Sequence, residues 1–320
     1  MLCSRLMLYL GLPALAGTLL VGERLVWQER APLPQPRAGY MAGVIDGQMV
    51  IAGGSYWENN KKIWTARVDL FDPKANVWHS GAPLPESRSD GASVIYRDAL
   101  YVFGGGADDK ARRDASMYYR GKWSLVAAAE LPEPRISAVA VECRQSIYLV
   151  GGMSDGTDDT TMKNNLWVWD PKSAPGGWKA LAPFPGPGLI AHAVAAINEK
   201  IYVFGGATTS ENGMVNSDDA YEFDTRRGAW SKLPKLPIAR RAWSAVALTN
   251  RVLLLGGYTS NYEKDVFEYD VISGDLEPAG TLPHGVCDAK FVRIGRWVIG
   301  AGGEAADKIR GQWTFQTEVR

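Results

Sequence analysis

The sequence predicts an all-β protein built from six copies of one structural unit. Six times an apolar run ends in a diglycine doublet, and successive doublets start 51, 47, 54, 51 and 46 residues apart. Such regular spacing is typical of a repeat array, in which one supersecondary unit is copied along the chain. The 35 Gly, 12 Trp and 13 Tyr residues suit many short strands joined by tight turns. The doublets are Gly53-Gly54, Gly104-Gly105, Gly151-Gly152, Gly205-Gly206, Gly256-Gly257 and Gly302-Gly303.

The elements of each unit follow one order. An unbroken apolar strand precedes the doublet, as expected when both faces of a strand are packed. A polar loop, a strand with an aromatic-acid pair, a Trp and a Leu-Pro or Phe-Pro turn come next. In the first unit these features are residues 49–52, Phe71-Asp72, Trp78 and Leu84-Pro85. The fifth unit carries Leu276 where the others carry the Trp.

This order of strand, diglycine, strand, aromatic-acid pair and Trp resembles the kelch repeat, over residues 25–319. The resemblance implies a six-bladed kelch-type β-propeller with four strands per blade. Trp27 stands 26 residues before Gly53, just as Trp78 stands 26 residues before Gly104. We therefore expect residues 25–29 to complete the last blade, which leaves no free sheet edge there. A wheel closed in this way favours a monomer.

The first 22 residues form a separate leader. Arg5 precedes an apolar run at residues 6–21, and Ala14-Leu15-Ala16 matches the small-residue cleavage pattern of a secretory signal peptide. The leader therefore predicts a periplasmic or secreted protein. If it is not cleaved, the run is only slightly short of a membrane span and would anchor the protein instead.

Charge and cysteine content exclude several classes of function. Lys+Arg and Asp+Glu are both 35, so no net field attracts a polyanion and nucleic acid is not an expected partner. Cys143 and Cys287 fall three units apart, on opposite sides of a six-unit wheel, which disfavours a disulfide. Three scattered His cannot build a copper centre, and Asp155, Asp158 and Asp159 lack the spacing of a calcium loop. We predict no metal and no other cofactor.

Candidate functional residues gather at one mouth of the central channel. In an antiparallel blade, the turn into the innermost strand and the loop after the diglycine emerge on the same face. Four of the six units have an arginine 16 residues before the doublet, where it could tie loops together or hold a ligand carboxylate. Three residues further on, three units carry a Tyr, a His or a Trp. These positions are Arg37, Arg88, Arg135, Arg240, Tyr40, His192 and Trp243.

A narrower resemblance concerns the loops at that mouth. Residues 61–64, the turn at 83–85, and Glu304 and Arg310 after the last doublet are similar to the bacterial N-acetylneuraminate (sialic acid) mutarotase group of kelch propellers. His192 also resembles a His of that group. The resemblance implies a cofactor-free isomerase that interconverts the anomers of a small acidic sugar.

The same resemblance assigns roles to individual residues. Glu304 and His192 become the acid and base candidates, one of which deprotonates the anomeric hydroxyl while the other protonates the ring oxygen. The sugar carboxylate would be held by arginines, and Tyr40 or Trp243 would pack on the sugar ring. The arginines are Arg37, Arg88, Arg135, Arg240 and Arg310.

A non-catalytic module could use the same rim to capture a glycan or a protein ligand. Tyr56 and Trp57 in the loop of the first unit, and Tyr258 and Tyr262 in that of the fifth, suit such a role. Propeller folds host both kinds of function, so the sequence leaves enzyme and binding module open.

Overall fold

The computed structural model describes residues 25–108, 110–173 and 176–319. The expected leader at residues 1–22 lies outside this part of the chain. No helix within the described ranges is long and apolar enough to cross a membrane. Six four-stranded antiparallel sheets, the blades, follow one another around a central axis, which confirms the predicted six-bladed propeller.

The chain starts with a short outer strand and then builds blades 1 to 3 in order. Strand β1 is Gln28–Glu29. Blade 1 consists of β2 (Met41–Ile45), β3 (Gln48–Ala52), the hairpin β4 (Ser55–Glu58) and β5 (Lys61–Trp64), β6 (Val68–Asp72) and β7 (Val77–Ser80). Blade 2 consists of β8 (Ala92–Tyr96), β9 (Ala99–Phe103), the hairpin β10 (Gly106–Ala107) and β11 (Lys110–Ala111), β12 (Ala115–Tyr119) and β13 (Lys122–Leu125). A 3-10 turn at Ala127–Ala129 leads to blade 3, with β14 (Val139–Cys143), β15 (Ser146–Val150), a 3-10 turn at Asp159–Thr161, β16 (Leu166–Trp169) and β17 (Lys179–Leu181).

Blades 4 to 6 repeat the plan. Blade 4 consists of β18 (Ala193–Ile197), β19 (Lys200–Phe204), the hairpin β20 (Ala207–Ser210) and β21 (Gly213–Asn216), β22 (Ala220–Asp224) and β23 (Ala229–Lys232). Blade 5 consists of β24 (Ser244–Ala247), β25 (Arg251–Leu255), β26 (Asp265–Asp270) and β27 (Leu276–Thr281). Blade 6 consists of β28 (Lys290–Ile294), β29 (Trp297–Ala301), the hairpin β30 (Glu304–Ala306) and β31 (Ile309–Arg310), and β32 (Thr314–Glu318).

The amino-terminal strand closes the wheel, as predicted. β1 pairs antiparallel with β32, with Gln28 opposite Gln316 and Glu29 opposite Phe315, and becomes the outer strand of blade 6. The Trp27 ring packs edge-on against Phe291 of the same blade, at 5.6 Å between ring centroids. The first and last strands of the propeller therefore share one sheet, and neither leaves an unpaired edge between them.

The diglycine doublets join each blade to the next. The second glycine donates its N–H to the carbonyl at the start of the next blade's inner strand, at 2.7 to 2.9 Å in all six blades. A Cβ on the first glycine would clash with that carbonyl oxygen: on Gly104 it would lie 2.3 Å from the Arg135 oxygen. The two backbones approach so closely that only glycine fits.

The repeated Trp has a similar role on the outside of the wheel. The indole N–H of Trp78 donates to the Ala31 carbonyl at 2.9 Å, and that of Trp123 donates to the Ala82 carbonyl at 2.9 Å. Trp178 and Trp230 make the equivalent hydrogen bonds in blades 3 and 4. Each acceptor belongs to the turn that enters the blade from its predecessor, so the Trp fixes that turn. Leu276 of blade 5 cannot donate such a bond.

Both cysteines of the propeller are free thiols. Cys143 and Cys287 are each 5% exposed and make no disulfide, which confirms the expectation from their spacing.

Candidate functional site

A closed ring of backbone hydrogen bonds surrounds the axis at one mouth of the channel. One residue per blade contributes, 14 positions before the doublet, and its N–H donates to the carbonyl of the corresponding residue in the preceding blade at 2.6 to 3.4 Å. All six have positive φ, between 49° and 64°. We call this the axial ring: Gly39, Asp90, Ser137, Ala191, Ala242 and Asp288.

The loops that follow the doublets rise from the same mouth. The residue before each ring member forms an antiparallel bridge with the residue after the doublet, as between Arg241 and Tyr258 or between Cys287 and Glu304. The structure therefore brings the inner-strand starts and the four hairpins to one face, as the sequence predicts for an antiparallel blade. Ring and hairpins together form the rim of the candidate site.

Four of the five arginines predicted to bind substrate are buried and at most 1% exposed. Each inserts between strands of its own blade. Arg37 donates to the Asp69 carboxylate at 2.7 Å, Arg88 to Asp114 at 2.6 Å, and Arg240 to Asp265 at 3.0 Å. Arg135 is paired with Glu133 at 2.7 Å and stacks on the Trp167 ring, with its guanidinium carbon 4.4 Å from the centroid. These guanidinium groups are already occupied by carboxylates and are out of reach of a ligand at the rim.

Tyr40 and Trp243 are also buried, at 1% and 3% exposed, and link neighbouring blades. Tyr40 donates its hydroxyl proton to the Ala301 carbonyl of blade 6 and accepts from the Lys290 backbone N–H at 3.0 Å. The Trp243 indole donates to the Phe204 carbonyl of blade 4 at 3.1 Å. Their rings are therefore held within the wall between blades, beside the narrow space at the level of the axial ring.

His192 occupies the equivalent position in blade 4 and lines the channel just below the axial ring. It is 3% exposed, and neither imidazole nitrogen makes a hydrogen bond of normal geometry, although the Val150 carbonyl lies near. Burial, together with the charge of Lys290, lowers the pKa of His192 to about 3. The imidazole is consequently neutral at physiological pH.

Glu304 stands on the rim, at the start of the blade 6 hairpin. Its carboxylate forms an ion pair with Arg310 at 2.5 Å, and the two side chains are 19% and 8% exposed. The structure therefore places two of the predicted site residues, Glu304 and Arg310, in direct contact. His192 lies at the same end of the channel but belongs to blade 4, so that blade 5 separates it from Glu304.

A second carboxyl group of the rim has an unusual environment. Burial is the main factor that raises the pKa of Asp288 to about 6, and the neighbouring Asp90 carboxylate adds to it, while Lys290 opposes it. Asp90 and Asp288 flank Gly39 in the axial ring, and a Cβ on Gly39 would lie 2.4 Å from Asp90 Oδ1. The absence of a side chain at Gly39 thus makes room for the Asp90 carboxyl group.

The channel beneath the ring is narrow. A cavity of about 140 Å³ extends along the inner strands and is lined mainly by small residues, with His192, Trp243 and Lys290 at its upper end. A space of about 40 Å³ lies at the level of the ring itself. A sugar does not fit in this volume, so a ligand of that size that binds at this mouth lies above the ring, among the hairpins.

One group of side chains on the rim could be considered as a metal site. The ligand atoms of Cys287, Asp288 and Glu304 lie within 4.8 Å of one another. However, Glu304 is already paired with Arg310, and burial, reinforced by the two carboxylates, raises the pKa of the Cys287 thiol. A neutral thiol is a poor metal ligand, and a neighbouring guanidinium disfavours a cation.

Sequence reasoning did not single out Arg241, which precedes the axial-ring residue Ala242. In the other blades the same position holds Ala38, Ser89, Ile136, Ile190 and Cys287. The signal that could have revealed Arg241 is this break in a column of small or apolar residues.

Comparison with known proteins agrees with the fold and finds partial similarity to one family of enzymes. The family model of N-acetylneuraminate epimerases (NANM) matches residues 160–279, and the kelch motif model matches residues 36–85. The solved "Structure of YjhT" superimposes with a TM-score of 0.73 at 17% identity, over 88% of this chain and 95% of that one, which demonstrates similarity of fold.

The curated relatives fall into two groups. Kelch-like protein 35 of Mus musculus is 29% identical over 260 residues, which cover 77% of this chain and 41% of the relative. Beta-scruin of Limulus polyphemus is 22% identical over 80% of this chain and 23% of the relative. N-acetylneuraminate epimerase of Haemophilus influenzae is 30% identical over 114 residues, which cover 35% of this chain and 30% of the relative. The chain spans less than half the length of each of these relatives.

Proposed function

Since the chain is a kelch-repeat propeller related in part to the N-acetylneuraminate epimerases, we propose that it is a cofactor-free mutarotase or epimerase of a small acidic sugar such as sialic acid. The observation that carries the proposal is a pair of carboxyl groups in contrasting environments on one rim. Asp288 has a pKa raised to about 6, and Glu304 is ion-paired with Arg310. Two carboxyls in contrasting settings are typical of an acid and a base that act together.

In the proposed reaction, Glu304 accepts the proton of the anomeric hydroxyl while protonated Asp288 donates its proton to the ring oxygen. The bond between the anomeric carbon and the ring oxygen breaks, and the anomeric oxygen becomes a carbonyl. The open chain rotates about the bond to the carbonyl carbon. On closure at the other face, the ring hydroxyl returns its proton to Asp288 while Glu304 gives its proton back to the anomeric oxygen, so the reaction needs no redox partner and no cofactor.

We assign the proton donor to Asp288 and not to His192. With its pKa lowered to about 3, His192 is a neutral imidazole at neutral pH and lacks the acidic imidazolium proton, and it lies below the axial ring. Its expected contribution is to the packing and polarity of the channel wall.

The test measures exchange between the anomers of N-acetylneuraminate by NMR, with purified wild-type protein and its variants. We expect Glu304→Gln and Asp288→Asn each to slow exchange by about 10²- to 10⁴-fold, the usual contribution of a general acid or base. His192→Ala should retain most of the activity. Glu211→Gln, which neutralises an exposed carboxylate on the blade 4 hairpin, is the matched control and should leave the rate unchanged. Wild-type exchange at the rate of buffer alone would refute the proposal.

A non-catalytic binding module is the second candidate. The kelch-like and scruin relatives match more of the chain than the epimerase does, and three apolar side chains on the hairpins are exposed: Met214 at 43%, Val215 at 41% and Ile309 at 58%. Such a module predicts that the rim variants alter affinity for a glycan or protein and that no sugar is turned over. The same NMR experiment separates the two candidates.

A further inference from the structure

A cavity of about 580 Å³ lies between blades 5 and 6, far from the candidate acid and base. It is adjacent to the turns that join the first and second strands of these blades, at the opposite end of the wheel from the rim. Its volume is in the usual range for small-molecule sites, about 300–1,000 Å³. We call it the interblade cavity. Its lining includes Leu25, Leu253, Trp297, Arg251, Glu268 and Thr317.

Aromatic side chains fill the corresponding space between the other blades. Three residues before the doublet, blades 2, 3 and 4 each carry a Tyr that packs on an aromatic ring of the next blade, with centroids 5.7 to 6.4 Å apart. On either side of blade 1, the same two positions combine one aliphatic and one aromatic residue within a packed cluster. The pairs are Tyr101 with Trp169, Tyr148 with Phe223, Tyr202 with Tyr269, Val50 with Tyr118, and Ile299 with Phe71.

Blades 5 and 6 have smaller residues at both positions. Leu253 takes the place of the Tyr, since it lies opposite Glu268 in the sheet just as Tyr202 lies opposite Glu222. Thr317 takes the place of the facing aromatic residue, and both side chains line the interblade cavity. Among the described residues, this is the one interface where neither position holds an aromatic side chain. The cavity is therefore the space that aromatic rings fill elsewhere in the wheel.

The polar partner of the Tyr is retained although the Tyr is not. In blade 4, Lys200 pairs with Glu222 at 2.8 Å, and in blade 5 Arg251 pairs with Glu268 at 2.9 Å. Burial is the main factor that raises the pKa of the Tyr202 hydroxyl, and the neighbouring Glu222 carboxylate raises it further. Glu222 thus lies beside a phenol hydroxyl. Glu268 has the same position beside the interblade cavity, and its two carboxylate oxygens can accept several hydrogen bonds.

We propose that the interblade cavity binds a hydroxylated aromatic compound, whose rings occupy the space left by Leu253 and Thr317 and whose hydroxyl donates to Glu268. Leu253 and Trp297 provide apolar surface for the rings, and Arg251 holds the acceptor in place. A cavity of about 150 Å³ left by truncation of a core side chain already binds benzene. The larger volume here accommodates two fused rings. This site is separate from the rim and does not depend on the proposed sugar chemistry.

The experiment titrates wild type and variants into 2-naphthol and measures its fluorescence anisotropy, which rises when the small molecule binds. The same titration with 2-methoxynaphthalene tests the hydroxyl, because the ether cannot donate a hydrogen bond. We expect wild type to bind 2-naphthol about 10-fold or more tightly than the ether, the usual effect of one hydrogen bond to a charged group. Leu253→Tyr, which restores the residue of blades 2 to 4, should fill the cavity and weaken binding of both probes by at least about 10-fold.

Two further variants complete the test. Leu125→Tyr makes the same substitution at a leucine of β13 that is 70% exposed, and it should bind both probes as wild type does. Glu268→Gln replaces the charged acceptor by a neutral one and should weaken binding of 2-naphthol but not of the ether. This comparison within one variant does not depend on whether Leu253→Tyr folds. Far-UV circular dichroism and melting temperature verify the fold of each variant.

Several results would overturn the proposal. Wild type that binds neither probe, or a folded Leu253→Tyr that binds both as tightly as wild type, would show that the interblade cavity is not a site for aromatic compounds. Equal affinity of wild type for the two probes would reject Glu268 as the acceptor of a hydroxyl proton. A wild-type dimer that Leu253→Tyr dissociates in size-exclusion chromatography would assign the cavity to a second copy of the chain instead.

Discussion

Arg240 and Arg241 are adjacent in the chain and have opposite surroundings. Arg240 is 1% exposed, its Nη2 donates to Asp265, and its Nη1 donates to the Gly256 carbonyl at 3.0 Å. Arg241 stacks on Tyr258 at the rim and has no carboxylate partner among the residues that the structure describes. One residue of displacement along the chain is enough to move an arginine from the buried layer to the rim, because successive side chains of an extended chain point in opposite directions.

The contrast extends to the surroundings of the two arginines: Arg240 belongs to a layer of buried arginines, and Arg241 belongs to the rim. The buried layer repeats: Arg37, Arg88 and Arg240 each pair with an aspartate at the third strand of their own blade. The rim does not repeat, since Cys287, Asp288 and Glu304 all belong to blade 6 and the other blades have different residues at these positions. A feature that recurs in most blades serves the fold that all blades share. Chemistry is therefore expected where one blade departs from the others.

The largest expected effect is in the buried layer and uses two arginines that share one carboxylate. Asp69 accepts from Arg37 at 2.7 Å and from Arg67 at 2.8 Å, but the Arg37 side chain is 0% exposed and the Arg67 side chain is 38% exposed. Arg37→Ala should lower the free energy of unfolding by about 3–5 kcal/mol, as expected when a buried pair loses one partner. Arg67→Ala should cost at most about 1 kcal/mol, as expected for an exposed pair.

Urea denaturation of the two variants and of wild type measures both values. Equal losses in the free energy of unfolding would show that burial does not distinguish the two arginines. The buried layer would then not be more important for stability than exposed ion pairs. A loss from Arg37→Ala below about 1 kcal/mol would mean that the repeated arginine is not structural, and would return Arg37 to the set of candidate ligand residues.

The sequence was sufficient for the features that repeat. The doublets, the Trp column and the position of Trp27 predict the six blades and the closing strand, because each is a local requirement copied in every unit. The sequence also predicts that Glu304 and Arg310 lie on the rim, where they form an ion pair. The blades and the closing strand follow from spacing, whereas Glu304 and Arg310 follow from the resemblance to the sialic acid mutarotase group.

The burial of the four repeated arginines could not be predicted from the spacing of residues in the sequence. Whether Arg37 faces a ligand or a buried carboxylate depends on Asp69, which lies on another strand 32 residues later. An acidic or amide residue near the start of the third strand of each arginine-containing blade was the available signal: Asp69, Asp114, Asn165 and Asp265. The raised pKa of Asp288 depends on burial and on Asp90 from another blade, neither of which a spacing reveals.

A smaller effect on stability is expected at Asp288, which represents the rim in this comparison. Its pKa in the folded protein, about 6, exceeds the value of about 3.9 for an unperturbed Asp, so the folded state binds its proton more tightly. Stability should therefore fall as pH rises from about 4 to about 6 and stay level above. Asp288→Asn removes this cost, and Asn tolerates the positive φ of 51°.

We expect Asp288→Asn to be more stable than wild type by about 1 kcal/mol at pH 8 and equally stable at pH 4, after allowance for the partial exposure of the carboxyl group. Urea denaturation at the two pH values measures the difference. Combined with slower anomer exchange, this gain would identify Asp288 as a residue retained for chemistry at a cost in stability. A variant less stable than wild type at pH 8 would instead assign Asp288 a structural role like that of the buried layer.

The smallest expected effect tests the axial ring, where the backbone repeats and the side chains do not. Ala242 has a φ of 56°, a conformation that costs an alanine about 1–2 kcal/mol, so Ala242→Gly should relieve strain that roughly offsets the greater flexibility of the unfolded chain. Its unfolding free energy should stay within about 0.5 kcal/mol of wild type. The matched control, Ala193→Gly at a buried position of the inner strand β18, has no such strain to relieve and should cost about 1 kcal/mol or more. Equal losses from the two variants in urea denaturation would mean that the ring does not strain its residues. In that case the backbone conformation of the axial ring would not restrict which residue type occupies each of its six positions.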